Sequence, residues 1–188
     1  MNALRPVVLL ALSCFAAAQQ PFDELLPILQ RQGSAEQLRD MQYFAARDDA
    51  PQAIAPLLAV IRKEAPALDN DGCLALEQIL RAHPDADCEL EPLLEVIARP
   101  IWNSRQKAAQ ALEVLLRRED VVLANRERLA RAVIPLLVSE RSRVYTAGAR
   151  CLAHIAGRDL GDDPVAARDW FFDTFHRGLD LHAARHER

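Results

Sequence analysis

Aromatic residues and glycine are both scarce in this chain: aromatics make up 5% of the 188 residues, and there are 6 glycines. Phosphate-cradling loops need glycine, and neither a Walker loop nor a Gly-x-Gly-x-x-Gly string is present. Gly-x-Ser-x-Gly and Cys-x-x-Cys are missing too, and no Ser-His-Asp or Cys-His spacing stands out. These absences exclude the enzyme classes that such motifs announce. Positive charge is not in surplus: Lys plus Arg is 23 against Asp plus Glu of 27, a formal net charge of −4. That balance gives no electrostatic case for nucleic acid, whose binders carry a basic face. Long apolar runs are lacking as well. The longest, "VVLLALSCF" over 7–15, falls far short of the roughly 20 residues a membrane-spanning helix needs.

What the chain does have is 51% hydrophobic residues, rich in alanine, leucine and arginine with few β-branched runs. That mixture favours helix and supplies a sizeable core. The length suits one domain. The first residues read as a targeting segment: "MNALRP" carries Arg5, the apolar run follows, and "AAA" over 16–18 fits a cleavage site before Gln19. The expectation is a signal peptide over 1–18, cut after Ala18, and a secreted or periplasmic protein. The rival reading is lipid attachment at Cys14, for which Ala11, Leu12 and Ser13 are a poor lead-in. The exported chain then keeps Cys73, Cys88 and Cys151, an odd number that leaves at least one thiol without a partner in the chain. Cys73 and Cys88 open successive antiparallel helices, which places them about 15 Å apart. A disulfide needs Cα atoms within about 7 Å, so no intrachain bond is expected.

A repeat emerges from three Pro-Leu-Leu strings, at Pro56, Pro92 and Pro135, 36 and then 43 residues apart. Each lies in an apolar run that reads as helix, where proline costs about 3 kcal/mol. A second helix follows each run. "CLALEQI" (73–79), "AQALEVL" (109–115) and "ARCLAHI" (149–155) align, matching Leu76 with Leu112 and Leu152, and Ile79 with Leu115 and Ile155. "ELLPILQ" (24–30) with 34–47 forms a weaker first copy. The reading is helical hairpins in series, first helices near 22–32, 51–64, 86–99 and 125–139, second helices near 35–47, 71–83, 104–118 and 142–157. Pro51 at a first helical position, Asp85 or Asp87, Asn103 or Ser104, Ser142 and Asp163 are the expected start signals, and Gly157 and Gly161 the stops.

A first helix with Leu-Pro-Leu-Leu, a polar turn and a second helix of Ala-x-x-Ala-Leu pattern resembles the HEAT-like (armadillo-type) helical repeats, best over 51–157. Arg105 and Arg143 stand near the place of the family's Val-Arg pair, in a different order. The resemblance implies an all-α, right-handed α-α superhelix of about four hairpins over 19–160, with a capping helix and tail over 161–188. Bent first helices would follow a curved stack. An ordinary helical bundle with incidental prolines is the alternative. In the tail, Phe171 and Phe175 fall on one helical face and suit the cover that a terminal repeat needs.

Chemistry is sparse. His182 and His186 lie four apart but have no third ligand near in sequence, so the reading is a solvated tail and no metal. "LDNDGC" (68–73) fails as a calcium loop, because Ala67 and Gln78 occupy the key ligand positions; it reads as a capping turn before a helix near Asp71. The expectations are therefore no catalytic residues, no cofactor and no metal. Binding falls to the second helices, which line the concave face of such stacks. Rows Leu74–Gln110–Arg150 and Gln78–Val114–His154 follow from the alignment. The binding candidates are Trp102, Arg105, Gln110, Arg143, Tyr145, Arg150 and His154, exposed aromatics and arginines being common anchors. The leading expectation is an exported, non-catalytic interaction scaffold that takes a protein or peptide and no nucleic acid, with no integral membrane segment in the mature chain. The alternatives are a HEAT-like lyase or other enzyme, for which Cys151, His154 and Asp163 come first, and an adaptor tethered through Cys14.

Overall fold

The computed structural model describes residues 20–31, 35–62 and 66–176. The expected signal peptide, the lipidation site at Cys14 and the pair His182 and His186 lie outside the described residues. A helix over 20–29 (α1) leads to α2 (Ala35–Ala45), a 3-10 turn (Ala50–Ala53) and α3 (Ile54–Arg62). Then come α4 (Pro66–Ala82), α5 (Glu91–Ala98) and α6 (Trp102–Leu115). The last helices are α7 (Glu119–Val133), which runs into a 3-10 segment (Ile134–Val138), α8 (Ser142–Ala156) and α9 (Pro164–Phe175). No strand occurs among the described residues.

The helices pair as the sequence predicts, α3 on α4, α5 on α6 and α7 on α8. They also touch across pairs. On one side α2 meets α4, α4 meets α6 and α6 meets α8; on the other, α3 meets α5 and α5 meets α7. Even and odd helices thus form two adjoining rows. The same positions are buried in each pair. On the odd helices Leu25, Leu57, Leu93 and Val133 sit one turn before Leu29, Ile61, Ile97 and Leu137, and all eight are in the core. On the even helices Phe44, Leu76, Leu112 and Leu152 are buried, as are Ile79, Leu115 and Ile155. Each such side chain contributes about 1.5–3 kcal/mol by leaving water. Small residues let the rows approach: Cys73, Ala109, Ala111 and Cys151 are buried among them. At Gly148 a Cβ would lie 2.7 Å from Leu136 Cβ, so only glycine fits between α8 and the 3-10 segment.

A second regularity was not read from the sequence. Gln37 Nε2 donates to Leu29 O at 3.4 Å, and Arg105 Nε donates to Ile97 O at 3.0 Å, each eight residues back. These carbonyls end the odd helices, where no intrahelical N–H remains for them. In the second pair the equivalent position holds Asp69, which cannot donate. Arg99 supplies the bond instead: it donates to Ile61 O at 3.0 Å and pairs with Asp69 Oδ2 at 2.5 Å. The fourth pair has Tyr145 there. Arg105 therefore corresponds to Tyr145, the register that the alignment of 109–115 with 149–155 implies. The same register brings the first pair into line through Leu29, Gln37 and Phe44.

The three prolines do not interrupt helices. Pro92 is at the start of α5, Pro135 at the start of the 3-10 segment, and Pro56 in the first turn of α3. At Pro92 the missing N–H falls in a first turn, so the expected cost of about 3 kcal/mol is largely avoided, whereas Pro56 and Pro135 follow helical turns without a break. Pro92 thus marks a helix start, and Pro135 the passage from α7 into its 3-10 extension. Other limits also move. α4 starts at Pro66 rather than near 71, so "LDNDGC" lies inside the helix and not in a capping turn. α5 starts at Glu91 without a side-chain cap from Asp85 or Asp87, and α7 starts at Glu119 rather than 125. α6 and α8 have no side-chain cap from Asn103, Ser104 or Ser142. Asp163 does cap: its Oδ1 accepts from Val165 N at 2.8 Å, with Pro164 next. Gly157 ends α8 at φ 72°, a left-handed conformation that suits glycine.

α9 continues the odd row, packing on α7 and the 3-10 segment. Phe171 is fully buried there, and its ring lies 4.9 Å from that of Phe175. Arg126 reaches back to the end of α8, donating to Ile155 O at 2.9 Å and stacking over Trp170.

Candidate binding surface

The outer side of α8 collects most of the predicted binding residues. Arg143, Arg150 and His154 are spaced seven and four residues apart, which puts them in one stripe along the helix. All three are exposed, as is Thr146 between them. Arg150 is tied sideways to α6, its Nε 3.1 Å from Glu113 Oε2, and its side chain remains 50% exposed. Beside the stripe lies a cleft of about 430 Å³. Its floor is Tyr145, Ala149 and Ala153, and Asp159 and Asp162 from the loop after α8 form the far wall. Tyr145 and Arg150 are thus brought together. Thr146, Ala149, Ala153, Asp159 and Asp162 were not picked out from sequence. Small alanines give no signal of a cleft, and among the described residues no further even helix follows to cover this side of α8.

The remaining candidates separate. Arg105 is 5% exposed and spent on the α5 carbonyl, so it is corrected from a surface anchor to a buried latch. Trp102 is half-buried at the start of α6, under the Arg141 guanidinium at 5.5 Å from its centroid. Gln110 is half-buried on α6, its Oε1 buried without a hydrogen-bond partner.

The residues considered for an enzyme do not converge. Cys151 is fully buried and its thiol donates to Ala109 O at 3.2 Å. Burial pushes its pKa up, as does the nearby Glu113 carboxylate. His154 lies on the exposed side of the same helix, and Asp163 is engaged in its cap. Cys73 is pushed up to about 12 by burial and by the Asp69 carboxylate, and Cys88 to about 12 by burial and by Glu89. Such thiols are poor nucleophiles, because the thiolate is the reactive form. Cys73, Cys88 and Cys151 are all free. A second cleft, of about 450 Å³, lies where the 3-10 turn and α3 meet the 87–89 loop, with Pro51, Ile54, Leu58 and Cys88 in its wall. No group of three or more His, Cys, Asp and Glu side chains suited to a metal ion occurs among the described residues. Nor is any described helix long and apolar enough to cross a membrane.

No family model, no curated protein and no solved structure matches this chain.

Proposed function

We propose that the chain is a short HEAT-like solenoid, exported after cleavage behind Ala18, that binds a protein or peptide along the concave face made by its even helices and performs no catalysis. Residues 19–160 form the stack in this reading, and α9 with the tail over 161–188 closes its end. One observation carries it: each pair contacts the next, and the same register positions are buried from Leu25 to Ile155. Modules of this kind cannot hide their apolar sides alone, and stacking them leaves a continuous face of second helices. The outer stripe of α8, with Arg143, Arg150 and His154, is the part of that face that best fits a binding role.

Three measurements test the reading. Small-angle scattering on the chain from Gln19 should give a radius of gyration above the roughly 15 Å of a compact domain of this size. Affinity capture from periplasmic extract should recover a partner under mild salt. No partner, together with turnover of a substrate, refutes the scaffold. Mass spectrometry of the exported chain should find Gln19 at its start; a lipid on Cys14 replaces the soluble reading with a tethered one.

A further inference from the structure

The last layer of the stack is half empty. The pairs α3–α4, α5–α6 and α7–α8 fill both rows, and α9 then extends the odd row alone. Among the described residues nothing follows α8 in the even row. The register tells what this leaves bare. Phe171 and Phe175 stand where Leu57 and Ile61, Leu93 and Ile97, and Val133 and Leu137 stand on the earlier odd helices. Phe172 is therefore the counterpart of Leu58, Leu94 and Ile134. Those three are 4%, 7% and 0% exposed, whereas Phe172 is 55% exposed. On the even side Tyr145, Thr146 and Ala149 are the counterparts of Arg105, Gln106 and Ala109, all buried on α6, yet they are half-buried or exposed. The cleft of about 430 Å³ over Tyr145, Ala149 and Ala153 is thus the place that the next even helix takes in the inner layers. Cys151 makes the inner version of that contact, its thiol meeting Ala109 O across α6 and α8.

The chain's own continuation does not suit this vacancy. Inner even helices start five residues after the last core residue of the odd helix, Pro66 after Ile61, Trp102 after Ile97 and Ser142 after Leu137. The same spacing from Phe175 would set His182, Arg185 and His186 at the counterparts of Val144, Ala147 and Gly148, which are buried on α8. A second copy suits it in shape and in charge. A two-fold rotation about an axis along the helices swaps the two rows and reverses the stack, so each copy's α9 enters the vacancy of the other. The entering α9 runs antiparallel to α8. The loop over 157–163 joins the end of α8 to the start of α9, so those two points stand at one level. One exposed face of α9 carries Val165, Arg168, Asp169 and Phe172, three and four residues apart. Phe172 lies about 12 Å along the helix, level with Ala149 counted back from Ala156. Arg168 comes level with Ala153, beside the wall of Asp159 and Asp162, and Asp169 with Arg150. Both surfaces thus hold charges of both signs, each facing its opposite. In the single chain Arg168 and Asp169 are paired with each other at 2.9 Å, and Arg150 stays 50% exposed beside Glu113. Three helix contacts result, α8 with the entering α9 in each copy and α9 with α9. Each covers about 18 by 10 Å, or about 1,000 Å² in all over both copies, the lower limit of a specific interface.

We propose that the α8–α9 end of the stack is the interface of a two-fold dimer, in which Phe172 of each copy enters the cleft over Tyr145, Ala149 and Ala153 of the other. This goes beyond the scaffold reading. It assigns the cleft to a second copy and leaves the rest of the even-helix face to a partner.

Sedimentation velocity on the chain from Gln19 to Arg188, at about 1–500 μM, tests the dimer. The mass should rise to that of two copies and stop there, with a dissociation constant in the micromolar range, as befits a small interface. Phe172→Glu should weaken association at least about tenfold, and so should Thr146→Arg on the other side of the contact. Both side chains are exposed in the single chain, so the fold is retained, which circular dichroism checks. An equal mixture of the two variants should recover part of the dimer. One of its two contacts is then intact, and the other brings glutamate to arginine. Tyr43→Glu, at a side chain 78% exposed on α2 at the far end, should dimerise as before. A chain that stays single over the whole range overturns the proposal, as does a dimer that neither Phe172→Glu nor Thr146→Arg weakens. Growth beyond two copies that Tyr43→Glu cuts means head-to-tail stacking and overturns it too. So does a dimer that forms only after residues 177–188 are removed, which gives the cleft to the chain's own end. A single chain that still captures a partner refutes this inference alone. A dimer that captures none and turns over a substrate refutes the scaffold alone.

Discussion

Asp69 illustrates how one residue can change the role of another thirty positions away. It occupies a site where Gln37 and Arg105 donate to a helix-ending carbonyl, and as a carboxylate it cannot. Arg99 enters from the next pair, satisfies Ile61 O and neutralises Asp69, with 14% and 1% of the two side chains exposed. Removing one partner of such a pair leaves a buried charge alone. Arg99→Ala should therefore cost about 3–5 kcal/mol in urea unfolding, and Arg99→Ala combined with Asp69→Ala should cost less than the sum of the singles. The thiols give a second prediction. Cys73 titrates near 12 in the fold against an ordinary value of 9.0, so the protonated form is favoured by folding. That contribution is complete below the ordinary value and is lost as pH rises from it toward 12. Dithionitrobenzoate at pH 8 should accordingly label Cys73, Cys88 and Cys151 slowly in the folded protein and fast after urea. The alkaline fall in stability should be shallower in Cys73→Ala.

At the scale of elements, helix starts were the least legible part of the string. Pro56, Pro92 and Pro135 were read as mid-helix bends; Pro92 instead opens α5, and Pro135 lies where α7 passes into 3-10. The sequence contains the apolar run on both sides of each proline; it does not contain the 3-10 turn before Ile54 or the break at Leu90. Pro92→Ala should therefore shift stability by no more than about 1 kcal/mol, far from the roughly 3 kcal/mol of a mid-helix proline. Gly148 makes the opposite case. It looks like an ordinary weak point in a helix, where alanine would be preferred by about 1 kcal/mol. The 2.7 Å approach of Leu136 Cβ reverses that sign. Gly148→Ala should destabilise by about 1–3 kcal/mol, measured as a lower urea midpoint at unchanged m-value.

For the whole molecule, the point of interest is how the row of helices ends. α9 covers the odd side, with Phe171 fully buried against α7 and its 3-10 extension. Phe171→Ala should cost about 3–5 kcal/mol, read as a lowered urea midpoint. A mere tail residue would tolerate the change within about 0.5 kcal/mol. Among the described residues no even helix follows α8, and the side that carries the candidate site is half-buried or exposed. Of the seven residues singled out from sequence, Arg143, Tyr145, Arg150 and His154 lie on α8, where the cleft is. Their common location was readable, because helical spacing fixes which side chains share a face. The fate of Arg105 was not. An arginine near a helix start looks alike in the string whether it faces water or a neighbouring carbonyl, and only the position of Ile97 O separates the two.

By itself the amino-acid sequence determined that this chain forms amphipathic helices in pairs, that Leu76, Leu112 and Leu152 are equivalent, and that their side chains go inside. Those properties follow from spacing along the chain, since the period of a helix turns sequence distance into direction. Only the tertiary structure decided where each helix starts, which carbonyls the arginines close, and which side of α8 the described residues leave exposed. These depend on groups far apart in sequence meeting in space, Arg99 with Asp69 and Leu136 with Gly148 among them. No local pattern encodes such meetings, because each is fixed by how the neighbouring helices pack.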